Sequence, residues 1–270
     1  MVRKLSILVP IYNEAATVEI LLRRLLKVPF QIDREIVAID DGSTDGTESI
    51  LRSFVDERPI TLVHHEKNRG KGAAIRTGIE HTTGDVIVIQ DADLELDPAE
   101  LPRLLEPILS GRAQVCFGSR FLAGVSWSMR CRPTYWANAI LNSISNLLNG
   151  IRITDFNTCY KMMTDNVMAQ ISITQNGFAM EPEITAKIAR LGYEIVERPV
   201  SYRPRSANDG KKIRFADAVR CLRAMVYYRF FWSPETAYPT PGTITQTVSK
   251  PVAEFGMAPS QPIQPTFRTA

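Results

Sequence analysis

Asp85-Val86-Ile87-Val88-Ile89-Gln90-Asp91-Ala92-Asp93-Leu94-Glu95 is a short apolar run that breaks off into acids. Nothing in Val86 to Ile89 alternates with polar residues, so the run reads as a strand buried on both faces. Pro98 to Leu109 then reads as a helix with proline in its first turn. The same unit recurs toward the N-terminus. Leu5 to Ile11 is an apolar strand, and Ala15 to Lys27 a helix whose Val18, Leu21, Leu22, Leu25 and Leu26 form one stripe. Glu35 to Ile39 and Thr47 to Val55 make the next pair, and Ile60 to Val63 with Gly72 to His81 another. This alternation predicts an α/β fold: a Rossmann-like, mostly parallel central sheet with helices on both faces.

Sheets of this kind bind ligands beyond the carboxyl ends of their strands. The unusual residues fall there: Tyr12, Asn13 and Glu14 after the first strand, Asp40 and Asp41 after the second, and Asp91 to Glu95. Further on, Gln114 to Phe117 reads as a strand with Arg120 just past its end. Thr134 to Asn149, Glu181 to Leu191 and Phe215 to Phe230 read as helices, and Glu194 to Val200 as a strand. The first and last of these helices are amphipathic, with stripes of Trp136, Ile140, Ile144 and Leu147, and of Phe215, Val219, Leu222, Val226 and Phe230. Either stripe packs on the core or lies in a bilayer interface. From Ser233 the composition turns to proline, threonine, serine and glutamine, and residues 233–270 are expected to be disordered. The folded part, 1–232, divides into a nucleotide-binding half to about residue 120 and an acceptor half beyond it.

Across 270 residues the formal charge is only +3, too small to imply nucleic acid as a partner. Its distribution says more. Gly111 to Thr154 contains no Asp or Glu but carries Arg112, Arg120, Arg130, Arg132 and Arg152, as a surface facing an anion or an anionic membrane would. A solvated basic face fits equally well. The four cysteines lack paired spacing, which indicates reduced thiols. The early first strand leaves no room for a secretory signal, and no apolar run reaches the roughly 20 residues of a membrane span. The expected location is cytoplasmic, with peripheral membrane contact as the lipid-facing variant.

Two carboxylates one residue apart at a strand end can share one cation, and their hard oxygens suit Mg2+ or Mn2+. A nucleoside diphosphate is a multiply charged leaving group. Opposite unit charges 4 Å apart near a protein surface interact by about 4 kcal/mol, so a divalent ion offsets much of the charge on departure. Surface turns also carry such pairs, but a position at the end of a buried strand favours the metal. In Asp40 to Thr47, adjacent acids ending a strand need compensation, which a nucleobase imide or a ribose hydroxyl would supply. Asp45 or Thr44 equally well caps the next helix. Tyr12 suits stacking on a base, and Glu14 suits a ribose.

These three segments, in this order, resemble family-2 glycosyltransferases of the GT-A fold, and within them the polyprenyl-phosphate sugar synthases of the dolichyl-phosphate mannose synthase type. Gly118-Ser119-Arg120, Thr154-Asp155 with Cys159-Tyr160-Lys161, and Glu181-Pro182-Glu183-Ile184 with Gly210-Lys211-Lys212-Ile213 carry the likeness from about Leu5 to Phe230. The resemblance implies inverting transfer of a hexose, mannose or glucose, from a GDP- or UDP-sugar to a polyprenyl phosphate. It implies that Pro10, Tyr12, Glu14, Asp41 and Asp91 hold the donor, and that Asp91, Asp93 and Glu95 hold the metal. Arg120 and Arg205 would hold phosphates, with Asp93, Asp155 and Arg120 as the catalytic group. Many relatives carry glutamine at the position of Glu95, and many continue into membrane-spanning helices.

A phosphate monoester loses its second proton near pH 6, so a lipid phosphate acceptor needs no general base at neutral pH. A hydroxyl acceptor does, and Asp155, Glu181 and Glu183 are the candidates; Asp155 is read as orienting the site. Transfer to a saccharide or small-molecule hydroxyl is the main alternative. A sugar-1-phosphate nucleotidyltransferase would open with a glycine-rich loop where Tyr12, Asn13 and Glu14 stand, and a non-catalytic binding module would not need both Asp91 and Asp93.

Overall fold

The computed structural model describes residues 2–55, 59–122, 124, 133–204 and 215–234. Strand β1 (Lys4–Ile11) leads to α1 (Val18–Lys27), β2 (Asp33–Asp40) to α2 (Thr47–Val55), and β3 (Ile60–His64) to α3 (Lys71–Ile79). Strand β4 (Val86–Ile89) reaches α4 (Leu101–Leu109) through a 3-10 turn at Pro98–Glu100. Then come β5 (Val115–Ser119), α5 (Pro133–Asn149), β6 (Lys161–Thr164), α6 (Asp165–Ile171), α7 (Met180–Arg190), β7 (Ile195–Pro199) and α8 (Phe215–Phe230). The described residues belong to a unit spanning Met1–Tyr238. From residue 235 on, the segment expected to be disordered lies outside them.

The strands form one sheet in the order β3-β2-β1-β4-β6-β5-β7. Every neighbouring pair is parallel except those made by β6, which runs antiparallel to both β4 and β5. Met163 pairs with Ile87 on one side and Val115 on the other. This strand and the helix after it are the elements that the sequence pattern does not announce. Lys161-Met162-Met163-Thr164 is too short to show a period and opens on a charged residue. Pairing on both edges makes it a strand. Helix α1 starts at Val18, with its stripe, and later than the expected Ala15, because the Glu14 carbonyl takes the amides of Thr17 and Val18 at 3.0 and 2.9 Å and closes a turn first.

Alternation along β1 divides the core. Leu5, Ile7, Val9 and Ile11 join Leu21, Leu22 and Leu25 of α1, Leu51 of α2, and Leu104 and Leu105 of α4. Leu8 points to the other face with Ile39, Ile75, Ile87, Phe117, Met163, Ile184 and Met225. Helices therefore cover both faces, and the functional groups are left to the rim. Cys116 and Cys159 are buried and form no disulfide.

At the opposite rim Glu35 locks three strand ends together. Its carboxylate accepts from Ser6 Oγ at 2.5 Å, from the Thr83 amide and hydroxyl at 2.6 and 2.9 Å, and pairs with Lys4 at 2.6 Å. Burial opposes its charge, but these bonds overcome it and lower its pKa to about 2. A depressed carboxylate stabilises the fold above its ordinary pKa of 4.5 and loses that contribution as pH falls toward 2. Glu35→Gln should therefore cost about 1–3 kcal/mol at pH 7, the scale of hydrogen bonds to a charged group. Urea denaturation should show the gap between mutant and wild type narrowing steadily below pH 4.5.

Candidate functional site

Strands β1, β2, β4 and β5 end, and β6 begins, along one rim of the sheet. Gln90 prolongs β4: its amide donates to Leu8 O at 2.9 Å, and its buried side chain accepts from Tyr160 Oη at 2.6 Å and donates to Asp91 O at 3.0 Å. Leu94 then takes a left-handed φ of 58°, a conformation a branched side chain rarely holds and one that collects at functional turns. The Glu95 amide folds back onto Asp93 Oδ1 at 3.1 Å. Asp91 and Asp93 stay partly exposed, whereas Glu95 is 8% exposed and its carbonyl takes the Arg203 amide at 2.9 Å.

The expected metal set of Asp91, Asp93 and Glu95 lies along this one turn. Among the described residues, the trio of such ligand atoms lying within 4.8 Å of one another is Asp40, Glu48 and His64; Asp91, Asp93 and Glu95 do not gather to that spacing. Asp91 and Asp93 are the more exposed members of this set and Glu95 the buried one. That Asp40 trio is already spoken for, with His64 Nδ1 on Asp40 at 3.0 Å and Glu48 bridged to Arg52 at 2.7 Å.

Asp91 is built to meet a cation. Lys71 Nζ lies 2.8 and 3.1 Å from its two oxygens and 3.2 Å from Glu181 Oε1. Burial works against the ammonium, yet Asp91 and Glu181 outweigh it and hold Lys71 well above the ordinary lysine range. The other oxygen of Glu181 takes Lys161, which also donates to Phe156 O at 2.7 Å and Thr158 O at 2.6 Å. Burial pulls Lys161 below its usual range, with Glu181 opposing. Hard oxygens already facing an ammonium fit a hard divalent ion. Neither lysine was predicted as a site residue. The available signal was Gly70-Lys71-Gly72 at a helix start. A Cβ on Gly72 would lie 2.0 Å from Gln175 O, and Gly70, at φ 98°, would place one 2.5 Å from Asn176 O.

Asp41 is engaged within the protein. Its carboxylate, 2% exposed, accepts the amides of Arg69 and Gly70 at 2.9 and 2.7 Å and faces His65 Nδ1 at 2.7 Å. Asp40 in turn faces His64 and accepts the Ser43 amide at 3.1 Å. The compensation expected from a nucleoside is thus supplied by the protein, and Asp41 pins the loop that delivers Lys71. Asp45 does cap, through bonds to the Thr47 amide and hydroxyl. Tyr12 is 45% exposed on the rim beside Pro10, and Glu14 Oε2 accepts from Thr17 Oγ1 at 2.6 Å.

Arg120 and Asp155 come together, but with each other. Nε and Nη2 each lie 2.7 Å from a different carboxylate oxygen, and the Arg120 amide adds a bond of 3.1 Å. The guanidinium also lies over the Tyr202 ring at 5.1 Å. Burial disfavours its charge, but Asp155 more than compensates and raises it above the ordinary arginine range. Among the described residues, the side-chain bonds of Arg120 are made by Nε and Nη2, not Nη1. Glu183 is equally committed, to Thr174, Gln175 and Lys187. Arg205, with Lys211, Lys212, Arg130 and Arg132, lies outside the described residues.

Next to the loop bearing Asp155, α5 turns Leu141, Ile144 and Leu148 onto the core and polar groups with them. Asn142 and Asn146 turn inward and bond Ile153 O at 2.7 Å each, and Asn142 Oδ1 accepts the Phe156 amide at 3.1 Å. Trp136, Ile140 and Leu147 face outward, Leu147 at 85% exposure. Helix α8 packs beside α5 and buries Cys221, Ala224, Met225 and Tyr228, leaving Val219, Leu222, Val226 and Phe230 of its apolar stripe exposed. A groove of about 680 Å³ there is lined by Leu222, Val226, Tyr227 and Phe231 together with Arg220 and Arg223. No helix among the described residues is long and apolar enough to cross a membrane.

Comparison with known proteins agrees with this layout. The chain is 30% identical over 216 residues to an undecaprenyl-phosphate mannosyltransferase of Micrococcus luteus, covering 76% of this chain and 85% of that one. It is 33% identical over 121 residues to a dolichol-phosphate mannosyltransferase of Pyrococcus furiosus, covering 45% of this chain and 34% of that protein. An undecaprenyl-phosphate 4-deoxy-4-formamido-L-arabinose transferase of Aeromonas hydrophila is 27% identical, over 78% of this chain and 63% of its own. Among solved structures, glucosyl-3-phosphoglycerate synthase from Mycobacterium tuberculosis with UDP shares the fold, at a TM-score of 0.65 and 20% identity over 84% of this chain and 80% of that one. The profile described as "Glycosyl transferase family 2" matches residues 6–171. With an acidic pair at the rim of a mixed, mostly parallel sheet and that match over most of the sheet, the chain belongs to glycosyl transferase family 2.

Proposed function

We propose that this protein works at a membrane surface, moving a hexose from a GDP- or UDP-sugar to a polyprenyl phosphate with inversion at the anomeric carbon. The observation that carries the lipid acceptor is the apolar surface shared by α5 and α8: Trp136, Ile140 and Leu147 on the one and Val219, Leu222, Val226 and Phe230 on the other face out, while the asparagines of α5 hold the Asp155 loop. An apolar face edged by arginines suits an anionic bilayer interface, where such a substrate must be met. The relatives named for undecaprenyl and dolichol phosphate support the same acceptor class.

Asp91 and Asp93 would hold Mg2+ or Mn2+, ions found with UDP in the Mycobacterium structures, and Glu95 would shape their turn. When bound, the ion offsets the charge that develops on the departing diphosphate. Tyr12 is open to stack on the base, and Pro10 and Glu14 border it. Asp41 serves the donor by fixing the loop before Lys71. Arg120 keeps Nη1 for a phosphate, with Arg205 as its expected companion, and Asp155 holds the guanidinium in place. Since Asp155, Glu181 and Glu183 are all tied to cations, the nucleophile fitting the site is an acceptor that is already ionised.

Incubation with radiolabelled GDP-mannose or UDP-glucose, with undecaprenyl phosphate in micelles or with soluble sugars, tests this directly. Labelled product should enter the organic phase; product confined to the aqueous phase contradicts the lipid acceptor. Charges on the outward face should also abolish vesicle binding. Burying one large apolar side chain contributes about 1.5–3 kcal/mol. Phe230→Glu with Phe231→Glu should then lower flotation with phosphatidylglycerol vesicles at least about tenfold. Unchanged flotation would remove the membrane contact.

A further inference from the structure

The acidic pair is connected to α7 by a chain of alternating charges: Asp91, Lys71, Glu181, Lys161. Two anions and two cations balance, so Asp91 is already neutralised before any divalent ion arrives. The chain is sealed at one end and open at the other. Lys161 is fully buried and Glu181 is 5% exposed, but Asp91 is 30% exposed. Lys71 cannot retreat as a residue. The amide of Gly72 is bonded to Asn176 O at 2.6 Å, and both flanking glycines sit where a Cβ would meet backbone. Only its side chain is able to change partners.

We propose that Lys71 is a place-holding cation for the acidic pair, ceding Asp91 to the divalent ion and passing its charge to the nucleotide diphosphate, so that metal and nucleotide bind as a unit. The inference rests on the reading of Asp91 and Asp93 as the metal pair. A divalent ion alone must displace an ammonium from Asp91 and leave it surplus beside a second cation. The diphosphate supplies a new partner for that ammonium and removes the penalty. By linkage, each ligand then tightens the other by the same factor. Lys71 is thus a positioning residue whose signature lies in binding.

Mn2+ titration followed by the paramagnetic resonance of the free ion, with and without UDP or GDP, provides the test. Without nucleotide, Lys71→Met should bind Mn2+ about five- to tenfold more tightly than wild type, the scale of one coupling between sites. Glu181→Gln should bind it more weakly, because both lysines then bear on Asp91. Nucleotide should tighten Mn2+ binding far more in wild type than in Lys71→Met. General damage to the fold would weaken both variants, so opposite signs cannot arise from it. Equal or weaker Mn2+ binding by Lys71→Met, or the same tightening by nucleotide in both proteins, overturns the proposal. If Asp93→Asn and wild type give one isotherm with nucleotide present, the metal reading itself fails, which is a different result.

Discussion

Asp93→Asn should lower kcat/KM by about a hundred- to a thousandfold, the loss that follows removal of one charge-stabilising group from a transition state. Asparagine keeps an oxygen able to accept the Glu95 amide, the bond that closes the turn, so the left-handed Leu94 loses no local support. The substitution removes one negative charge at a partly exposed position. The loss should fall mainly on kcat at saturating metal, because the cation matters most once charge has moved onto the diphosphate. Steady-state rates over a Mn2+ range check both parts. A variant that retains wild-type kcat would show that the carboxylate takes no part in the chemistry.

The second large effect concerns stability. Asp155→Ala removes the partner of a guanidinium that is 13% exposed and leaves it without compensation. Breaking a buried pair from one side costs about 3–5 kcal/mol, whereas an exposed pair is worth about 0–1. The double replacement Arg120→Leu with Asp155→Leu leaves no orphan charge and should be less destabilised than Asp155→Ala alone. Urea denaturation at pH 7 separates the cases, and a loss below about 1 kcal/mol for Asp155→Ala would mean that the pair behaves as a surface bridge. The same residue bears on pH. An acceptor phosphate gains its second charge near pH 6, so kcat/KM on a lipid phosphate should rise through that region and then level off. Asp155→Asn should keep the shape of that profile, because the rise belongs to the acceptor phosphate itself.

The sheet was legible because strand ends and helix stripes repeat: Leu5 to Ile11, Glu35 to Ile39 and Val86 to Ile89 all fall within observed strands. Strand β6 was not, since four residues beginning with lysine carry no period, and only pairing with Ile87 and Val115 gives them their form. Asp91, Asp93 and Asp155 are candidates read from strand ends and family likeness. The partners of Asp91, Glu181, Asp40 and Asp41 were missed for a physical reason. Lys71, Lys161, His64 and His65 lie 20 or more residues from the acids they face, a spacing that no local pattern records. The amphipathic helices show a related gap. Periodicity marks the stripe on α8, but not which way it faces; the buried side proved to be Cys221, Ala224, Met225 and Tyr228, leaving the stripe outside.

The central claim is that the carboxylates ending β4 seat a cation against the nucleotide diphosphate. Anomalous scattering at the manganese edge, from crystals grown with Mn2+ and UDP or GDP, locates the ion without assumption. A peak coordinated by Asp93, with Asp91 beside it and diphosphate oxygens opposite, is the predicted result. A peak at Asp40, Glu48 and His64, with Lys71 still on Asp91 in the nucleotide complex, would contradict it.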